Sequence, residues 1–176
     1  MADGESPKGF PPRLASTRVP AMSTARTLMP ASGILEDGEH RFPVRVYFED
    51  TDLTGVVYHA NYLRYMERAR SDLLRLLDID QRAAKESGDG HYAVTDVAIR
   101  YRAPARLDDD LIVRSRVTQL TPARCVIAQS VWREDTELTQ GSVTVAFLDL
   151  AGRPRRQPPA WIERFSPHVA KDSATA

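Results

Sequence analysis

Asn61-Tyr62-Leu63-Arg64-Tyr65-Met66-Glu67-Arg68-Ala69-Arg70-Ser71-Asp72-Leu73-Leu74-Arg75-Leu76-Leu77 is the stretch that decides the fold. Tyr62, Tyr65, Met66, Ala69, Leu73, Leu76 and Leu77 recur at the spacing of one apolar helix face, and Arg64, Arg68 and Arg75 lie mostly elsewhere. The pattern predicts one amphipathic helix running to about Asp78, about 27 Å long at 1.5 Å per residue. Upstream, Val44, Val46 and Phe48 alternate with Arg45, Tyr47 and Glu49, the period of a half-buried strand that ends at Asp50-Thr51-Asp52. Downstream, Gly88-Asp89-Gly90 marks a loop, and four strand candidates follow at 92–102, 110–119, 124–134 and 141–150. Pro104, Thr121-Pro122, Asp135 and Ala151-Gly152 punctuate them. Hairpin-length links imply antiparallel pairing, and a helix with a single apolar stripe needs one sheet face to cover it. The expectation is an α+β domain in which a five-stranded antiparallel sheet curves around one long helix, with a short terminal helix at 159–165.

The rest of the chain bounds the function. With 176 residues, 42% of them hydrophobic, there is material for one core. Lys plus Arg equals Asp plus Glu at 24 each, so the whole molecule exerts no pull on nucleic acid or anionic lipid, and an anionic ligand needs a local basic cluster. Cys125 is the single cysteine, which excludes an internal disulfide and a cysteine-based zinc site, and fits a cytoplasmic location. No apolar run approaches the ~20 residues that span a bilayer. Residues 1–40 hold five of the 12 prolines and four of the 9 glycines with no sustained apolar period, and are read as a disordered extension. Residues 41–168 form the folded domain in this reading, and 169–176 a flexible tail.

Chemistry concentrates where the first strand meets the helix. A carboxylate at Asp52 stands seven residues before His59, with Gly55 between them to permit an unusual backbone angle. A helix N-terminus offers unpaired amides and positive dipole, which polarise a carbonyl oxygen that turns negative during acyl transfer. Glu49, Asp50, Asp52 and His59 match neither a histidine-pair zinc motif nor a calcium loop, so no metal is expected, and no phosphate-cradling glycine motif is present.

The segment Tyr47-Phe48-Glu49-Asp50-Thr51-Asp52-Leu53-Thr54-Gly55-Val56-Val57-Tyr58-His59-Ala60-Asn61-Tyr62, then Met66-Glu67-Arg68-Ala69-Arg70 and Tyr101-Arg102-Ala103-Pro104-Ala105-Arg106-Leu107-Asp108-Asp109, resembles the 4-hydroxybenzoyl-CoA thioesterase family of the hot-dog fold. Within it the likeness is to the acyl-CoA thioesterases associated with the Tol-Pal system, and it covers nearly all of residues 43–165. The resemblance implies a hot-dog fold and cofactor-free hydrolysis of acyl-CoA to a free acid and coenzyme A. It implies Asp52, the second Asp of the D-x-D turn, as the catalytic carboxylate, acting as nucleophile or general base. The backbone NH of His59 would polarise the thioester carbonyl. It further implies a homodimer or homotetramer with active sites at the subunit boundary, and suggests acyl-carrier protein as a partner. A binding module for acyl-carrier protein or an envelope complex is the non-enzyme alternative.

Each candidate has a plainer reading. Without the resemblance, Asp52 is an ordinary turn residue and the His59 ring merely fills space. Asp50 shapes the turn, and Asn61 and Tyr62 fix the helix start. Tyr58, Glu67, Arg124, Arg153 and Arg155 are the substrate-binding candidates, with Arg156 beside them. Glu67 is equally read as an ion-pair partner of Arg64 or Arg70, and the arginines as solvated turn residues. Coenzyme A carries phosphates, so basic side chains are needed near the pocket mouth. Cys125 is read as a packed strand residue.

Overall fold

Asp37 and Gly38, at φ 50° and 72°, form a two-residue turn that only left-handed backbone can make. In the computed structural model, which describes residues 30–170, this turn joins β1 (Ile34–Glu36) to β2 (Glu39–Arg45). A 3-10 turn, Phe48–Asp50, then leads to α1 (His59–Leu76) and the short α2 (Gln81–Glu86). The strands β3 (His91–Tyr101), β4 (Asp110–Leu120), β5 (Arg124–Arg133) and β6 (Thr136–Leu148) follow, and α3 (Pro159–Phe165) closes the domain. All six strands pair antiparallel in the order β1-β2-β4-β5-β6-β3, so β3 is an edge.

The helix α1 lies against the sheet as its apolar stripe demands. Its first half buries Tyr62, Tyr65, Met66 and Ala69 against Val44, Val46, Leu111, Val113, Val131 and Leu138. Its second half buries Leu73, and beyond it Leu77, against Val117, Ile127, Val143, Val145 and Phe147, with Trp161 and Phe165 of α3 closing that end. Arg164 of α3 donates to the carbonyls of Leu77 and Asp78, satisfying acceptors the helix end leaves open. This is the hot-dog arrangement of a long helix wrapped by an antiparallel sheet. No helix among the described residues is long and apolar enough to cross a membrane.

The sheet has six strands where five were expected. The additional one, β1, and the first two residues of β2 fall inside the stretch read as disordered. They are held because His40 is fully buried, with Nε2 2.9 Å from Asp72 Oδ2 on α1. The Ser32 hydroxyl and the Gly33 amide donate to the same carboxylate at 2.9 and 2.8 Å. The rest of the expected extension, residues 1–29, lies outside the described residues, as do 171–176 of the expected tail; at its start, the Ala170 amide donates to Val117 O at 2.8 Å.

Other boundaries also shift for local reasons. The alternation Val44, Val46, Phe48 breaks at its last member: Val44 and Val46 are buried, but Phe48 is 83% exposed. Asp50 causes this, its Oδ2 accepting from the Tyr47 amide at 2.9 Å and curling the chain before Phe48 can turn inward. The helix starts at His59 and ends at Leu76, which is exposed, while Asn61 and Asp72 are buried on the face expected to be apolar. The helix α2, capped by Asp80 through Ala83 N at 3.0 Å, was not foreseen. A tight turn at Glu134 (φ 51°) starts β6 at Thr136, five residues before the expected 141. The terminal helix occupies the expected 159–165.

Candidate active site

The acidic turn is a small hairpin hung on the helix start. The Asp52 amide donates to Val56 O at 2.9 Å, Gly55 N to Asp52 O at 3.0 Å, and Tyr58 N to Asp50 O at 2.9 Å. Gly55 turns the corner at φ 76°, where a side chain would be strained. Asn61, buried on α1, donates from Nδ2 to the same Asp50 carbonyl at 3.0 Å, so the turn and the helix start are one rigid unit. Asp50 is itself buried and shapes the turn, as expected.

On this frame Asp52 points its carboxylate into the open. Its Oδ1 accepts from the Thr54 hydroxyl at 2.6 Å and the Thr54 amide at 2.8 Å, leaving Oδ2 with no partner among the described residues. Those two bonds, with a smaller electrostatic contribution from His59, hold the carboxyl below its usual range. It is ionised at neutral pH.

The opening turn of α1 supplies the complementary charge. The Asn61 amide bonds back to Tyr58 O at 2.8 Å, but His59 and Ala60 precede the first intrahelical acceptor, so their amides are free to meet a ligand oxygen. Tyr101, the last residue of β3, donates its hydroxyl to His59 O at 3.0 Å and sets its ring edge-on to the His59 ring at 6.3 Å. The Tyr58 ring stands 4.4 Å from the His59 ring on the other side. Below them the Val57 amide donates to Ala105 O, and the Ala105 amide to the Tyr62 hydroxyl, both at 2.9 Å. The stretch around Pro104 is thus stitched to the helix start.

The family match begins just after Asp52 and takes in the helix start and Tyr101. The model of the thioesterase superfamily matches residues 54–140. The acyl-CoA thioesterase YbgC of Haemophilus influenzae is 42% identical over 114 residues, which cover 65% of this chain and 84% of that protein. The chain belongs to the thioesterase superfamily. Another member, the acyl-CoA thioester hydrolase YbgC of Escherichia coli O6:H1, is 39% identical over 127 residues, 71% of this chain and 94% of that protein. The crystal structure of a probable thioesterase from Bartonella henselae superposes with a TM-score of 0.65 at 34% identity, covering 68% of this chain and 99% of that one.

In this superfamily member the remaining candidates lie apart from Asp52. Glu67, two turns along α1, is ion-paired with Arg70, whose guanidinium also donates to Gln129 Oε1 at 2.6 Å. Both border a cavity of about 80 Å³ between α1, α2 and β3, lined by Leu74, Tyr92, Val94, Cys125 and Val145. The Cys125 thiol is buried and its pKa pushed up to about 12 by desolvation, so it is a packing residue, not a nucleophile. Arg124 opens β5 opposite Ala146, Arg153 bonds Asp149 at 3.2 Å, and Arg155 donates to Gly88 O and Asp89 O at 3.2 and 2.9 Å. All three sit at the His91 end of the sheet, whereas Asp52 and His59 sit at the Tyr101 end. The 11 residues of β3 separate the two ends by roughly 30 Å.

Sequence reasoning brought Asp52, Tyr58 and His59 together but overlooked Thr54 and Tyr101. The Asp-x-Thr spacing of an Asx turn signals the first. Nothing local signals the second, which is 42 residues from His59 in the chain. Among the described residues no group of three metal-binding side chains occurs.

Proposed function

We propose that this protein hydrolyses acyl-CoA thioesters to a carboxylic acid and coenzyme A, with Asp52 as the working carboxylate and the His59 amide as the oxyanion donor. The observation that carries the proposal is the pairing of an ionised carboxylate, one oxygen fixed by Thr54 and the other free, with an unclaimed helix-start amide on the same rigid unit. The thioester carbonyl oxygen lies toward the helix start and gathers negative charge there as the tetrahedral intermediate forms. Asp52 Oδ2 either bonds to the carbonyl carbon or takes the proton of an attacking water. In both routes the C–S bond breaks, the thiolate leaves and is protonated, and water supplies the oxygen of the acid. Both similar YbgC proteins carry acyl-CoA in their names, which favours this substrate class. The chemistry needs no cofactor.

The arginine end of the sheet and the Asp52 end are too far apart to hold one coenzyme A molecule within a single chain. A homodimer, or a tetramer built from it, resolves this by bringing one chain's Arg124, Arg153 and Arg155 to its partner's Asp52. Acyl-carrier protein would dock at the same mouth as an alternative acyl donor. The buried free thiol of Cys125 accords with a cytoplasmic location.

Asp52→Asn tests the reading. Loss of the charge leaves the turn's backbone bonds intact, so the variant folds and assembles normally while thiol release from acyl-CoA falls at least about a hundredfold. Near-normal turnover in that variant would remove Asp52 from the mechanism.

A further inference from the structure

Tyr101 ends β3 beside the opening of α1, and three contacts set its side chain. Its ring meets the buried Tyr62 ring edge-on at 5.6 Å and the His59 ring at 6.3 Å. Its hydroxyl donates to His59 O at 3.0 Å. Partial burial raises its pKa above the ordinary phenol value, so the hydroxyl keeps its proton and remains a donor well into the alkaline range. The backbone beneath it is held as well, the next amide, Arg102 N, donating to Leu138 O at 2.8 Å. The other polar groups of the cluster hold the scaffold: the Tyr62 hydroxyl accepts from the Ala105 amide, and Asn61 donates to Asp50 O. The Tyr101 bond instead ends on the opening peptide of the helix.

A bond to that carbonyl acts on the far end of the same peptide unit. The His59 C=O and the Ala60 N–H lie in one planar trans group and point in opposite directions. In α1 the carbonyl points along the helix, and the amide points back out of its start. The Ala60 amide is one of the two at this end that α1 leaves without an intrahelical acceptor. A carbonyl oxygen has two lone pairs, so the Tyr101 hydroxyl can bond it without displacing a helix bond. The hydroxyl thereby fixes the plane that carries the Ala60 amide. It also draws electron density toward the oxygen, and linked hydrogen bonds strengthen one another by about 10–30% each, which makes the amide a better donor.

We propose that Tyr101 is a positioning residue for the hydrolysis: its hydroxyl locks the 59–60 peptide and so presents the Ala60 amide, beside that of His59, to the thioester oxygen. The two amides are one residue apart and point the same way out of the helix, so one oxyanion can accept from both. The gain grows as negative charge builds on that oxygen, and it therefore belongs to kcat rather than to KM. No substrate bond is made or broken at Tyr101, and its proton stays on the phenol. The inference rests on the hydrolysis reading and adds to it a residue from outside the acidic turn and the helix.

Tyr101→Phe keeps the ring and its packing and deletes the bond. Removing a direct oxyanion donor costs about 10² to 10³ in rate, and a residue that acts through one costs less. With whichever of butyryl-, lauroyl- and benzoyl-CoA the native protein hydrolyses fastest, kcat falls about fivefold while KM stays within about twofold. The second readout is infrared. A CoA ketone of the same acyl group, with a methylene in place of the thioester sulfur and carbon-13 at the carbonyl, binds without being hydrolysed. Its C=O band drops in frequency on the native protein, and Tyr101→Phe gives back part of that drop. Tyr62→Phe deletes a neighbouring hydroxyl that meets the Ala105 amide instead, and leaves the band in place. A band that ignores Tyr101→Phe, a loss expressed in KM, or an equal band movement in Tyr62→Phe would overturn the role of Tyr101. A band that does not drop on the native protein, or no hydrolysis of the three thioesters, would overturn the hydrolysis reading itself and this proposal with it.

Discussion

Asp52 owes its aim and its lowered pKa to one neighbour. Both hydrogen bonds to Oδ1 come from Thr54, and they are the main reason its pKa lies below the usual carboxylate range. A carboxylate with a depressed pKa is the working form at every pH above that value, and activity is lost only as pH falls through it. Thr54→Val keeps the branched shape and the backbone bond but deletes the hydroxyl. The Asp52 pKa then rises, and the acid limb of the kcat/KM profile moves to higher pH. A limb that stays in place would mean that the Thr54 hydroxyl does not set the ionisation of the working group. At this scale the sequence was informative where chemistry is local. The D-x-D turn and the glycine after it drew attention to Asp52, and the family resemblance supplied the roles proposed for Asp52 and the His59 amide. Tyr101 escaped because its bond to His59 O joins the end of β3 to the start of α1, a contact made only by tertiary pairing.

Elements obey their own periods except where a buried polar group intervenes. The 3.6-residue stripe located α1, yet Asp72 sits on the buried face, and the stripe gave no hint of it. Asp72 anchors the β1–β2 hairpin: burial opposes its ionisation, but bonds from the Gly33 amide, His40 and the Ser32 hydroxyl outweigh that and lower its pKa. Asp72→Ala leaves these donors stranded and lowers stability by about 3 kcal/mol at neutral pH. The sign follows from the depressed value. The advantage of the native chain is complete above the unfolded carboxylate pKa of ~3.9 and disappears as pH falls through the lower folded one. Urea midpoints of the two proteins therefore differ at pH 7 and converge in acid, and equal midpoints at pH 7 would show that the hairpin is not anchored there. The same carboxylate explains why β1 was unreadable. Residues 1–40 hold five prolines and four glycines with no sustained apolar period, and the carboxylate that holds the hairpin lies on another element.

At the scale of the whole molecule, the two ends of the sheet carry different halves of the proposed chemistry. Asp52, His59 and Tyr101 stand at one end, and the apolar cavity opens toward the other, bordered by Tyr92 and Val94 at the start of β3. If one chain's carboxylate works on an acyl group seated in its partner's cavity, two different defects can complement each other. Asp52→Asn removes the carboxylate, and Val94→Arg blocks the cavity; Val94 is partly exposed in the single chain, so the arginine can be carried without disturbing the core. Each homodimer is inactive. A mixed dimer combines both defects in one site and leaves the other intact, so co-refolding equal amounts restores about a quarter of native turnover, half the dimers being mixed with one good site of two. Were carboxylate and cavity supplied by the same chain, every site in the mixed dimer would carry one defect, and mixing would restore nothing. The measurement is turnover before and after subunit exchange.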